Sequence, residues 1–361
     1  MLFSLSKIVT QIEPRDRSLT RSAEAHVVAL AMPAWALGRL SELAVQICEM
    51  QRTLNPDVSG KKIFTMAADH GITEEHVSTA PQSVTLQMME AIGNGQAGVN
   101  ILAKANHCTV QLVDMGVNGD LPELVSSGKC LNRKIDYGTQ NFHKGHAMTR
   151  QQAIDAIETA FTVVSDQIET ENLHLIGTGE LGIGNTTPAS AILSAIGHYP
   201  VEACTGTGAG LTPEGLNHKI KIIKESLALN QPNPDDGLDV LSKVGGYDIA
   251  GIAGTILAAA YHQIPVLVDG FISTAGALIA LKLCPATLDY MIPSHLSKEP
   301  GHHLMMEALG LKPLLDLDLR LGEGSGAATA MTLVESSIRV FNDMATFESA
   351  NVLDTNIKGS F

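Results

Sequence analysis

Short apolar runs alternate with longer stretches of helical period along this chain. Runs of strand length and strand chemistry occupy residues 63–68, 108–115, 174–177, 265–269 and 290–293, and the first four end in polar or glycine-bearing segments. Between them the apolar positions recur every three to four residues. Residues 23–51 carry this period, interrupted at Pro33, with Leu37, Leu40, Leu43, Ala44 and Ile47 on one face. Further helices are expected over 83–105, 150–169, 213–229, 249–260, 273–283 and from Ser325 to about residue 342; Ala153, Ala156, Ile157, Ala160, Phe161 and Val164 form the stripe of the second. Residues 117–148 and 240–244 show no decisive period, and residues 1–22 and the tail from Thr346 are polar. Strands alternating with helices imply right-handed βαβ units. The expected fold class is therefore α/β, a parallel Rossmann-like sheet with helices on both faces, with ligands at the carboxyl ends of its strands.

Composition narrows the chemistry. The 361 residues suit two domains, or one large α/β unit with an appendage, and 45% apolar residues give ample core. A net charge of −14 argues against nucleic acid or an anionic membrane as the main partner, while leaving room for a small anionic substrate. Cys48, Cys108, Cys130, Cys204 and Cys284 are scattered and lack a CxxC pair, which reads as free thiols in the reducing cytoplasm. The first residues lack a sustained apolar core, so no secretion signal is expected. The long apolar region 249–283 is broken by His262, Gln263 and Asp269, so no membrane span is expected either.

Two glycine-rich stretches could carry chemistry. In LRLGEGSGAA, residues 319–328, glycines flank one carboxylate, Glu323, ahead of a helix with Ser325 as the expected N-cap. Beside Leu319 and Leu321 that carboxylate could be desolvated into a usable general base, although the stretch alone favours a glycine-rich turn with a solvated glutamate. In GTGELGIGNTTP, residues 177–188, a strand runs into a glycine loop and a helix expected to be capped by Thr187. Helix-end amides and hydroxyls suit a phosphate or ribose; a plain tight turn is the alternative. Glu180 within it would repel phosphate and is better placed against a sugar hydroxyl or a cationic ring. GTGAG at 206–210 is a second such cradle, with Lys219 downstream as a cation or merely a solvated lysine. Asp69-His70 could serve acid/base or metal chemistry, but HxH and HxxxH spacings are missing. His295, His302 and His303 read as surface or capping residues, and Trp35, the one tryptophan, as a packing anchor. No metal, cofactor or covalent nucleophile is expected.

Taken together, the strings resemble the nicotinate-nucleotide:dimethylbenzimidazole phosphoribosyltransferases. The similarity rests on PxxxLGRLxELAxQ at 33–46, AADHGI at 67–72, PQSVTLQM at 81–88 and GTGELGIGNTTPA at 177–189. It continues with GTGAGL at 206–211, GGYDIAGIAG at 245–254, VDGFISTAGA at 268–277, SHLSKEPGH at 294–302, LRLGEGSGAA and MATFESANV at 344–352. The resemblance implies transfer of a phosphoribosyl group from nicotinate mononucleotide to 5,6-dimethylbenzimidazole or a related base, giving α-ribazole 5′-phosphate and nicotinate for the lower ligand of cobamides. It makes Glu323 the general base and surrounds the ribose phosphate with Glu180, Gly182, Asn185, Thr186, Gly208, Lys219 and Ser297. Asp269 would order the site, and Ser83, Gln87, Met88, Leu181 and Leu321 would flank the base. It also implies a homodimer whose partner subunit reaches the site, and a small helical domain from both chain ends (1–52 with 327–361) beside an α/β domain over 53–326. The chain departs from the family pattern at Met32, Trp35 and Ala36, where a lysine and a glycine-serine pair are usual. A non-catalytic nucleotide- or benzimidazole-binding protein of the same fold is the alternative, and a nicotinamide-dependent dehydrogenase a weaker one.

Overall fold

A computed structural model describes residues 4–354 and 356. Six strands form one parallel sheet: β1 (Lys61–Ala68), β2 (Thr109–Gly116), β3 (Cys130–Asn132), β4 (Leu175–Leu181), β5 (Val266–Val268) and β6 (Met291–Pro293). Their order is β3-β2-β1-β4-β5-β6. The chain winds outward from β1 through β3, then the helix Arg150–Glu171 returns it to β4 beside β1. The crevice between β1 and β4 is the point where winding reverses, the place such sheets offer to ligands.

Both faces are covered. Helices Arg150–Glu171 and Tyr247–Tyr261 pack on one face; Ser325–Asp343 and Gly98–Ala105 lie on the other. Glycines set the close spacing of Tyr247–Tyr261. A Cβ on Gly251 would lie 2.9 Å from the Cγ of Met66 in β1, and one on Gly254 would strike the Ile157 carbonyl. The small residues there therefore serve packing within the chain. At the chain ends, Leu30 bridges Thr346, Ala31 donates to the Ala345 carbonyl at 2.9 Å, and Ser337 Oγ donates to the Leu40 carbonyl at 2.6 Å. Trp35 packs against the core, as an anchor should, but with φ of 60°, a region that favours glycine.

Several boundaries differ from the sequence expectation, each for a physical reason. The helix expected over 83–105 is two, Val84–Gly93 and Gly98–Ala105, because Gly95 takes φ of 74° and turns the chain. Residues 237–244 form a helix, Gly237–Val244, capped by the Asp236 side chain. The unassigned 117–148 segment holds a short helix, Pro122–Ser126, and the edge strand β3, and is tied to the sheet through Asp69 and Gly116. The helix after β4 starts at Thr186 with Asn185 as its cap, two residues earlier than a Thr187 cap would set it. The strand expected over 174–177 runs on to Leu181, so Gly177 and Gly179 are sheet residues.

Candidate active site

Those two strand glycines create the site. A Cβ on Gly177 would lie 3.1 Å from the Ala327 Cβ, and one on Gly179 would collide with the Glu323 carbonyl. Without side chains there, the turn carrying Glu323 lies directly on β4. Thr65 Oγ1 of β1 donates to that same carbonyl at 2.9 Å. Glu323 itself has φ of 65° between Gly322 at 83° and Gly324 at 99°, a left-handed path that glycine neighbours permit.

Asp269, at the end of β5, anchors the turn from behind. Its Oδ2 accepts from the Gly324 amide at 3.1 Å and its Oδ1 from the Ala327 amide at 2.9 Å. It thus caps the helix Ser325–Asp343 from a neighbouring element, and Ser325, expected to be the cap, is the first helical residue. Burial raises the Asp269 pKa, opposed by His295, whose Nε2 lies 3.7 Å away, and by the backbone amides.

Glu323 is 4% exposed. Its Oε2 accepts from the Val99 amide at 3.2 Å, at the start of the helix that the break at Gly95 creates. Burial raises its pKa, partly offset by that hydrogen bond, and Asp269 raises it further. The desolvation does not come from a buried Leu321, which is 57% exposed and lies over Gly98.

A cleft of about 310 Å³ opens in front of Glu323, within the size range of small-molecule sites. Met88, Leu181 and Leu321 are among its apolar lining residues. Glu180, Gly182, Asn185, Thr186, Gly208 and Ser297 line it too. Lys219 and Asp269 lie beneath the wall. Lys219 is only 1% exposed and donates from Nζ to Thr186 Oγ1 at 2.6 Å. Burial lowers its pKa to about 8, with Glu299 acting the other way. It is therefore not a solvated surface lysine. A Cβ on Gly208, where φ is 53°, would sit 3.1 Å from that hydroxyl, so the loop closes over the ammonium. Ser83 and Gln87 occupy exposed positions near the start of the helix that carries Met88.

Glu180 is buried among acids. Burial and then Asp248 push its pKa up to about 8, against a hydrogen bond from Asn185. Its carboxyl is thus largely neutral at pH 7 and can donate a hydrogen bond. Of the histidines read from sequence as surface or capping residues, His295 and His302 are buried and His303 alone is exposed. His302 Nδ1 accepts from the Ser297 amide at 2.7 Å, and its Nε2–H points to Thr274 Oγ1 at 2.9 Å. Burial drives its pKa down to about 3, so it is a neutral strut under Ser297.

Known proteins resemble this chain in sequence and in fold. A family model described as Phosphoribosyltransferase matches residues 12–352. The nicotinate-nucleotide–dimethylbenzimidazole phosphoribosyltransferase of Desulfotalea psychrophila is 50% identical over 349 residues, 96% of this chain and 98% of that one. Its counterpart from Syntrophotalea carbinolica is 48% identical over 348 residues, with 96% and 98% covered. The chain belongs to this family of phosphoribosyltransferases. The crystal structure of CobT from Thermus thermophilus matches with a TM-score of 0.89 at 39% identity, covering 93% of this chain and 99% of that one.

Within this phosphoribosyltransferase fold, sequence reasoning gave no site role to Asp248, Glu299 and Arg320 and read His295 as a surface or capping residue. The last three line the cleft, and Asp248 contacts Asn185 from behind. Glu299 was visible in the SHLSKEPGH string, whereas Asp248 lies in an apolar helix whose pattern says only that it is buried. Asp69, singled out for chemistry, is structural: it accepts from Thr85 Oγ1 at 2.7 Å and the Asn118 amide at 2.8 Å. Among the described residues no group of three or more His, Cys, Asp or Glu converges to hold a metal ion, and no helix is long and apolar enough to cross a membrane.

Proposed function

We propose that this chain transfers the phosphoribosyl group of nicotinate mononucleotide to 5,6-dimethylbenzimidazole or a related base, forming α-ribazole 5′-phosphate and nicotinate. The observation that carries the reading is Glu323: a buried carboxylate of raised pKa, held by the Val99 amide, in a cleft lined both by apolar Met88, Leu181 and Leu321 and by the loop residues Asn185, Thr186 and Gly208. In this reading Met88, Leu181 and Leu321 hold the base, with Ser83 and Gln87 at the outer edge. Gly182, Thr186, Gly208, Lys219 and Ser297 hold the phosphate. Glu180 and Asn185 face the ribose.

One ring nitrogen of the base attacks the anomeric carbon. The bond from that carbon to the pyridinium nitrogen breaks, and its electron pair returns to the nicotinate ring, which leaves without needing a proton. The proton on the other base nitrogen passes to Glu323. A positioned base contributes about 10²–10⁴-fold, and holding both rings in line can contribute more. Glu180, largely neutral at pH 7, adds no anion beside the phosphate.

The same reading includes a homodimer and a helical domain made from residues 1–52 and 327–361, of which 1–3, 355 and 357–361 lie outside the described residues, next to an α/β domain over 53–326. The pairing of Leu30 with Thr346 supports the domain, and the exposed Val28, Leu37, Val352 and Leu353 support a covered face there. All five cysteines are unpaired and buried, which supports a cytoplasmic setting. The test is product analysis: protein given both substrates should yield a ribazole phosphate, with nicotinate in equal amount. Nicotinate without the coupled nucleotide would instead mean a hydrolase.

A further inference from the structure

Two titratable side chains behind the cleft have no part in the chemistry above. His70, just after β1, and Asp248, in the first turn of the helix Tyr247–Tyr261, are both fully buried. His70 Nε2 lies 3.3 Å from Asp248 Oδ2, and Asp248 Oδ1 accepts from the Ile249 amide at 2.8 Å. Burial works against an imidazolium here, but Asp248 and then Asp69 outweigh it, and the His70 pKa is raised. The ring is clamped by glycines. A Cβ on Gly182 would come within 2.9 Å of Nε2, and one on Gly246 would strike Cε1. Such close packing holds the Asp248 side chain at a fixed place against the imidazole.

Asn185 connects this pair to the cleft that it lines. Its Nδ2 lies 2.5 Å from Glu180 Oε2 and 3.2 Å from Asp248 Oδ2. Two acid oxygens at one end of an amide require the NH₂ group there, since a carbonyl facing the Asp248 carboxylate would be repelled. The other end, Oδ1, is then left for the ligand. A sugar hydroxyl both donates and accepts. The Asn185 carbonyl would take its proton while the neutral Glu180 carboxyl donates to its oxygen.

We propose that His70 and Asp248 are positioning residues that lock the Asn185 amide with Oδ1 toward the ribose hydroxyls of the bound nucleotide. The identity of that nucleotide rests on the transferase reading given above; the locking does not.

The test is a double-mutant cycle on the full chain with Asp248→Asn, Asn185→Ala and both together. It is read in affinity for nicotinate mononucleotide by calorimetry, which needs no turnover. An asparagine at 248 can donate to Asn185 Oδ1, so the amide is freed to flip. Each single substitution should weaken nucleotide binding about ten- to hundredfold, the range for hydrogen bonds with charged partners. The double variant should bind within about twofold of Asn185→Ala alone. Affinity for dimethylbenzimidazole should change less than about twofold throughout. His70→Gln keeps a donor to Asp248 and leaves its carboxylate facing Asn185, so it should weaken nucleotide binding less than Asp248→Asn does; Asp248→Ala serves as the first arm of the cycle if Asp248→Asn does not fold. Losses that multiply, an unchanged affinity in Asp248→Asn, or an equal loss for the base would overturn the proposal. Wild-type protein that binds the nucleotide yet releases no nicotinate defeats the transferase reading and leaves the cycle readable; wild-type protein that binds no nucleotide defeats both.

Discussion

Glu323 must be ionised to take a proton and must be desolvated to take it well. The structure meets both needs by burying the carboxylate while leaving one amide, Val99 N–H, to support its charge. Glu323→Gln keeps the shape and removes the base, so turnover should fall about 10²–10⁴-fold with nucleotide affinity nearly unchanged. Because the pKa is raised, the proton-accepting form is lost as pH falls through a value above the ordinary carboxylate range. The acid limb of kcat/KM should therefore lie above that range, and a limb at the ordinary glutamate value would remove the desolvation argument. Glu180 gives a stability signature instead. Its folded pKa, about 8, exceeds the unfolded value near 4.5. Folded protein thus holds this proton more tightly, a contribution present below about pH 4.5 and lost as pH rises toward 8. Melting curves should show Glu180→Gln gaining on wild type between about pH 5 and pH 8. Lys219→Met removes a buried, desolvated ammonium, so KM for the nucleotide should rise at least about tenfold while the melting temperature holds or increases.

At the scale of elements, the site depends on where β4 ends. The glycines of GTGEL read locally as a loop, yet they continue the strand because a helix and a turn press onto them. That pressure comes from residues far along the chain, Glu323 and Ala327, and no local pattern contains it. The same holds for Ser325, whose expected capping role passes to Asp269. Here two backbone amides depend on one buried carboxylate. Asp269→Ala should cost about 2–4 kcal/mol in denaturant unfolding, from two amides left without a partner. It should also lower kcat more than it raises nucleotide KM, since the turn that it anchors carries the base. By contrast, the amphipathic helix Arg150–Glu171 and the strands β1 and β2 were legible from period alone, because their burial follows their own sequence.

Across the whole molecule, strand alternation sufficed to place the ligand edge, and the observed order puts the winding reversal between β1 and β4, where the cleft lies. The site strings at 177–189 and 319–328, which resemble the family, hold half of the lining. Asp248 and the buried His295 and His302 escaped, because a polar residue in an apolar segment states its burial and not its partner. Sedimentation should give twice the chain mass for the proposed homodimer, and substituting Leu37 with Asp should shift it toward the monomer; a monomeric wild type would contradict that part of the reading.

The central claim is that Glu323 drives base-dependent transfer, and nicotinate release measures it most directly. Purified protein given nicotinate mononucleotide should release nicotinate only when 5,6-dimethylbenzimidazole is added, with a ribazole phosphate as co-product, and Glu323→Gln should abolish most of that release. Release that ignores the added base, or that survives intact in Glu323→Gln, would contradict the account.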